Sequence, residues 1–102
     1  MTLLRYYRLT ALEGRSDDLR EALQTLAANL AQISQTVNTE ILIDPDAPGT
    51  FVFIERWRSQ EDQKTAGSML GKSAFTPISS LLAEPPTSRY LVPAEQTRNP
   101  GS

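Results

Sequence analysis

The clearest pattern along the chain is an apolar stripe with the period of a helix. Its members recur at alternating steps of four and three, which places them on one helical face: Leu19, Leu23, Leu26, Leu30, Ile33 and Val37. Ser16, Asp17 and Asp18 precede the stripe and supply a cap and two carboxylates for the first helical turn. The pattern therefore predicts a long amphipathic helix that begins near Ser16 and packs its apolar face on a sheet.

Four segments have the composition of β-strands. They are apolar, aromatic or β-branched, and they cover residues 3–12, 37–43, 51–58 and 89–92. The second and third are joined by residues 44–49, which are rich in turn formers and predict a hairpin. Asp44 and Asp46 are accordingly expected to be turn residues, because Asx side chains hydrogen-bond within their own turns.

A broken helical segment separates the third strand from the fourth. Ser59 is expected to cap a helix over residues 60–70, Gly71 interrupts it, and Pro77 stands in the first turn of a short second helix. The order is then βαββ, helical segment, β, which is the order of a ferredoxin-like α+β fold. Residues 1–93 form the predicted domain, and residues 94–102 are predicted to be a C-terminal tail, either disordered or an arm on a dimer.

This architecture predicts a second copy of the chain as partner. A four-stranded antiparallel sheet with helices on one face leaves its other face bare, and that face needs a cover. Phe51, Phe53 and Trp57 lie on one side of the third strand, with Val52 and Ile54 on the other, so both sides are apolar. Packing of two sheets face to face in a homodimer buries both.

Composition excludes several classes of function. The chain has 102 residues, enough for one domain, and a net charge of −2 with no basic face that indicates nucleic acid. No apolar run approaches the ~20 residues of a membrane helix, so a cytoplasmic protein is expected. The sequence contains neither Cys nor His. Thiolate nucleophiles, disulfides, Cys-ligated metals and histidine acid–base catalysis are therefore excluded.

Residues 44–62, DPDAPGTFVFIERWRSQED, carry a family resemblance. A D-P-D-x-P-G-T hairpin followed by a strand that ends in E-R-W and a capped helix start resembles the antibiotic biosynthesis monooxygenase (ABM) domain. The resemblance extends over residues 3–92. It implies a dimeric α+β barrel with a small-molecule pocket in each protomer, and an activity in which O₂ oxidises a polyphenol or quinol without metal or flavin.

The resemblance also implies positions for site residues. The polyketide-oxidising members carry an Asn, a Trp and a Tyr that fall at Phe53, Trp57 and Gln63 of this chain, so Trp57 alone matches. The haem-degrading members of the superfamily need a haem-ligating His, which is missing here. Haem chemistry is therefore disfavoured, and no cofactor is expected.

The candidate catalytic residues are Trp57, Tyr7 and Arg8. Trp57 can stack on an aromatic ring, Tyr7 can hydrogen-bond a substrate anion, and Arg8 can stabilise its charge, with Arg56 an alternative to Arg8. Tyr6 and Tyr7 point to opposite sides of their strand, so at most one of them lines a given pocket. A place in the core is the alternative for Trp57.

The candidate substrate-binding residues are Phe53, Met69 and Phe75, in a largely apolar pocket between helices and sheet. Glu55 is expected instead to meet an arginine across the dimer. The favoured function is a cofactor-free monooxygenase for a small aromatic, quinol-like molecule. The alternatives are a non-catalytic homodimer that binds a small hydrophobic ligand, and an isomerase or lyase on the same fold.

Overall fold

A computed structural model of the chain describes residues 2–94. Over those residues the elements follow in this order: β1 (Leu3–Thr10), α1 (Ser16–Ile33), β2 (Asn38–Ile43), β3 (Thr50–Trp57), α2 (Gln60–Leu70), α3 (Thr76–Ser79) and β4 (Thr87–Leu91). The strands form one antiparallel sheet in the order β2-β3-β1-β4. This is the predicted ferredoxin-like α+β fold, which is confirmed. The predicted tail lies outside the described residues from residue 95 onwards.

The long helix buries the predicted leucine face. Leu19, Leu23, Leu26 and Leu30 are all buried, but α1 ends at Ile33, so the last member of the apolar stripe lies beyond the helix. The predicted serine cap is wrong: Arg15 occupies the N-cap position, and no side chain caps the helix there. No helix within residues 2–94 is long and apolar enough to cross a membrane.

The second helical segment begins and ends as the sequence predicts. Ser59 Oγ accepts a hydrogen bond from the Asp62 backbone N–H at 3.1 Å, which satisfies a free donor of the first turn of α2. Gly71 ends α2 with a φ of 80°, a backbone conformation that favours glycine. A 3-10 turn over Lys72–Phe75 then leads into α3, with Pro77 in its first turn.

The register of the strands sorts their side chains onto two faces. Phe53 of β3 lies opposite Tyr7 of β1 and Ile41 of β2, so the three share the helix-covered face. The burial pattern along β3 agrees, since Phe51, Phe53 and Trp57 are buried while Val52, Ile54 and Arg56 are more exposed. We call the opposite side the open face; it carries Leu4, Tyr6, Arg8, Leu42, Val52, Ile54, Arg56, Arg89 and Leu91.

The hairpin between β2 and β3 is an Asx turn, as predicted. Asp44 Oδ1 accepts from the Asp46 backbone N–H at 2.9 Å, and the Asp44 carbonyl accepts from Ala47 N–H at 3.2 Å. Gly49 follows with a φ of 85°. The turn sets the β2–β3 register, and that register places Phe53 on the helix-covered face.

Candidate functional site

A cavity of about 200 Å³ lies between the helix-covered face of the sheet and the helices α1 and α3. Its walls are mostly apolar, and the lining residues are Tyr7, Leu9, Leu23, Leu26, Phe53, Phe75, Ile78, Ser79, Leu82 and Pro86. An apolar cavity of ~150 Å³ is large enough to hold benzene. The site therefore has room for one aromatic ring with substituents.

Three of the six predicted site residues come together in this cavity. Tyr7 and Phe53 line it from adjacent strands, with ring centroids 6.3 Å apart and ring planes inclined by 48°. Phe75 lines it from the 3-10 turn before α3. Tyr7 is thus the tyrosine of the pair that lines this cavity, whereas Tyr6 lies on the open face beside a separate groove.

Two predicted residues lie elsewhere. Arg8 is on the open face, where it pairs with Asp44 at 3.4 Å and borders a wide groove of about 410 Å³. Met69 is 66% exposed on α2 and borders a separate shallow groove near the C-terminal end of α1. Arg8 is displaced because it is one residue out of phase with Tyr7 along β1. Met69 is displaced because α2 turns its Ala66 towards the core instead.

Trp57 lies in the core and does not line the cavity. Its side chain is only 2% exposed, and its Nε1–H donates a hydrogen bond to Glu55 Oε1 at 2.9 Å. Because the indole N–H is committed to Glu55, it is not free to bind a ligand. Trp57 is therefore a buried hydrogen-bond donor to the Glu55 carboxyl group.

The sequence pattern does not identify Arg5 as a candidate site residue, and it places Glu55 at the dimer interface. Glu55 is 3% exposed and shares the helix-covered face with Phe53, so it does not reach across the open face to a partner as expected. Arg5 lies opposite Glu55 in the β1–β3 register, and its Nε donates to the Tyr7 hydroxyl at 3.1 Å. The signal was available: Arg5 and Tyr7 are two residues apart on one strand, and such residues share a face.

We call Arg5, Tyr7, Glu55, Trp57 and Tyr90 the polar cluster. The Arg5 guanidinium lies between two aromatic rings, 4.0 Å from the Tyr90 centroid and 5.0 Å from that of Tyr7. Its Nη2 also donates to Ser88 Oγ at 3.4 Å. These contacts fix the guanidinium beside the hydroxyl of Tyr7, which itself lines the cavity.

Burial raises the pKa of two side chains of the cluster, Glu55 and Tyr7. Burial raises the pKa of Glu55, while the hydrogen bond from Trp57 and the charge of Arg5 act in the opposite direction. Burial and then the charge of Glu55 raise the pKa of Tyr7, against the hydrogen bond and charge of Arg5. Tyr7 is thus a neutral hydrogen-bond donor near pH 7 and not a base. Within residues 2–94, no cluster of three or more acidic side chains is placed to hold a metal ion.

Comparison with known sequences identifies one family. The sequence model of the antibiotic biosynthesis monooxygenase family matches residues 3–66, which include β1, α1, β2 and β3 entirely. Tyr7, Phe53, Glu55 and Trp57 all fall within the matched region. A comparison with curated proteins gives no match.

Solved structures show the same fold at low sequence identity. A candidate antibiotic biosynthesis monooxygenase from Caulobacter crescentus superimposes with a TM-score of 0.81 and 17% identity, over 92% of this chain and 91% of that one. SnoaB, a cofactor-independent oxygenase from Streptomyces nogalater, gives 0.82 and 15% over 96% and 98%. A candidate monooxygenase from Nitrosomonas europaea gives 0.80 and 14% over 95% and 94%. At such identity the likeness extends to the fold alone.

Proposed function

Because the chain belongs to the antibiotic biosynthesis monooxygenase family, we propose that it is a monooxygenase that oxidises a small aromatic, quinol-like substrate with O₂ and no cofactor. The observation that carries the proposal is the apolar cavity of about 200 Å³, which has an aromatic wall and a single phenolic hydroxyl. The cofactor-independent activity of SnoaB, a structural neighbour, supports the choice of reaction.

The chemistry needs no reductant besides the substrate. The ring hydroxyl loses its proton to solvent, and the resulting anion passes one electron to O₂. The two radicals then combine into a peroxide at a ring carbon that carries one hydrogen. The O–O bond breaks as that carbon loses its hydrogen and forms a C=O bond, and the second oxygen leaves as water with this hydrogen and a proton equivalent to the one lost from the hydroxyl. The substrate loses four electrons and O₂ gains four, so the balance closes.

The protein's contribution in this scheme is to hold the anion and exclude water. Phe53 and Phe75 pack on the ring, and Tyr7 donates a hydrogen bond to its oxygen. Trp57 acts from the core through Glu55. Arg8 and Met69 lie outside the cavity and have no role at it in this scheme.

Oxygen consumption by the metal-stripped protein across a panel of single-ring quinols and related phenols tests the proposal. Tyr7→Phe removes the hydroxyl from the cavity, while Tyr6→Phe makes the same change on the open face. Ser79→Trp blocks a lining position, while Ser80→Trp modifies the next residue, whose hydroxyl also bonds a backbone carbonyl of the same segment. Uptake that falls in Tyr7→Phe and Ser79→Trp but not in their controls supports the proposal. Absence of uptake with every compound refutes it.

A specific observation favours a second candidate, a homodimer that binds a small hydrophobic molecule without turnover. Tyr7 is the only titratable residue that lines the cavity among the described residues. Its raised pKa keeps the hydroxyl protonated near pH 7, so it is not available as a base. A binding protein has no need of a base. Thermal stabilisation by a panel compound without oxygen consumption would identify this function.

We further propose that the protein is a homodimer through the open face. Leu42 and Leu91 are 40% and 44% exposed on that face, and Val52 and Ile54 lie between them on the sheet. An apolar sheet face of this kind is buried when two sheets pack together.

A further inference from the structure

The cavity and the polar cluster meet at Tyr7. Its side chain lines the cavity, and its hydroxyl accepts a hydrogen bond from Arg5 Nε at 3.1 Å. A phenolic hydroxyl that accepts one hydrogen bond keeps its own proton available for donation. Within residues 2–94 the Tyr7 hydroxyl donates to no other side chain. It is therefore free to donate to an oxygen of a bound molecule.

Two opposite charges face this hydroxyl. Arg5 of β1 contributes a guanidinium 5.0 Å from the Tyr7 ring centroid, and Glu55 of β3 contributes a buried carboxyl group on the same face. From β4, Tyr90 packs on the far side of the guanidinium, 4.0 Å away. A negative charge bound beside the Tyr7 hydroxyl is thus stabilised by Arg5 and opposed by ionised Glu55.

We propose that the cavity binds a single-ring phenol with its oxygen at the Tyr7 hydroxyl, and that Arg5 is a positioning residue that favours the phenolate form. Glu55 sets the strength of that preference by its opposing charge. The inference rests on the proposed function, because it names the oxygen that the substrate carries. It concerns binding, however, and its test requires no turnover.

The probe is 4-nitrophenol, whose phenol and phenolate forms absorb at different wavelengths. Its single ring fits a cavity of about 200 Å³. Binding is measured as a function of pH, which gives separate affinities for the two forms. In the wild-type protein the bound probe is expected to lose its proton at a lower pH than the free probe does.

Two variants are expected to act in opposite directions. Arg5→Met should weaken phenolate binding by about tenfold or more, as expected for removal of a charge ~6 Å away, and leave phenol binding within about twofold. Glu55→Gln should strengthen phenolate binding, because it removes the opposing charge and keeps an acceptor for Trp57. A purely structural role for the two residues would make both variants weaken the two forms alike.

Three further variants serve as controls for Arg5→Met and Glu55→Gln. Arg5→Lys keeps the charge and is expected to restore most of the phenolate preference, and Tyr7→Phe is expected to abolish it. Arg20→Met makes the same change as Arg5→Met on the exposed side of α1 and should have no effect. Thermal melts by circular dichroism verify folding. If Arg5→Met does not fold, Glu55→Gln and Arg5→Lys decide the question.

The outcomes separate this inference from the proposed oxygenase. A phenolate preference that responds to Arg5 and Glu55 supports the inference, whether or not any quinol consumes oxygen. Absence of probe binding, a bound probe that titrates like the free one, or shifts of the same sign in both variants would overturn it. Oxygen uptake together with any of these results would leave the oxygenase standing without an Arg5-assisted anion site.

Discussion

Trp57→Phe is the substitution whose effect follows most directly from the contacts. Trp57 is 2% exposed and donates its only N–H to the buried Glu55 carboxylate at 2.9 Å. The variant leaves that carboxylate without this donor and removes part of a packed ring. A hydrogen bond to a charged group contributes ~1.5–3 kcal/mol, and the lost packing adds about 1 kcal/mol. The free energy of unfolding should therefore fall by about 2.5–4 kcal/mol at a pH where Glu55 is ionised.

A fall of that size corresponds to roughly 10–30 °C in Tm for a domain of this length. The measurement is urea unfolding followed by far-ultraviolet circular dichroism, because the variant removes the only tryptophan and with it the usual fluorescence probe. Wild type and variant are compared at equal protomer concentration, since assembly contributes to apparent stability. An unchanged denaturant slope is needed for the two free energies to be comparable.

A double-mutant cycle with Glu55→Gln isolates the hydrogen bond from the packing. In the glutamine background Trp57 donates to a neutral acceptor, and the loss of such a bond costs about 1 kcal/mol. Trp57→Phe should then cost about 2 kcal/mol instead of about 2.5–4, a coupling of about 0.5–2 kcal/mol. A coupling below about 0.5 kcal/mol would show that Trp57 and Glu55 form no charge-assisted hydrogen bond of consequence.

Three further predictions follow from other contacts. Burial raises the pKa of Glu55 above 4.5, so the folded chain holds that proton more tightly than the unfolded chain, and stability falls as pH rises from 4.5 through the folded-state pKa. The Tm of Glu55→Gln should therefore rise relative to that of wild type across that pH interval. A constant difference in Tm would contradict the pKa shift. Ile54→Asp should give a monomeric mass by light scattering where wild type gives a dimer, and a dimeric variant would remove the open face from consideration. Ser59→Ala should cost about 1 kcal/mol through the loss of the α2 cap in urea unfolding, and an unchanged midpoint would show that the cap contributes nothing.

The sequence was sufficient for the fold because its signals are local. The leucine stripe of α1, the Asx turn at Asp44 and the Ser59 cap each act within a few residues, and each specifies one element or boundary. Placement of Ser16 as a cap failed because a serine next to two carboxylates suits either the cap or the first turn, and the structure uses it in the first turn.

The site was only partly predictable because it depends on pairing between distant strands. Alternation along β1 and β3 was sufficient to separate Tyr7 from Tyr6 and Phe53 from Val52. It could not show that Arg5 lies opposite Glu55, since that requires the β1–β3 register. Charge alone favours Arg8, with Arg56 as its alternative, and strand phase puts both on the open face.

The side of the cavity formed by α3 and the loop after it, which we call the roof, differs in construction from the side formed by the sheet. Tyr7, Leu9 and Phe53 belong to central strands whose burial holds the domain together, whereas Ser79, Leu82 and Pro86 come from a short helical segment and the loop after it, where they are exposed or half-buried. Substitutions at such positions usually change stability little. New ligand preferences can therefore evolve through the roof while the sheet stays constant, which fits a fold shared by proteins at 14–17% identity.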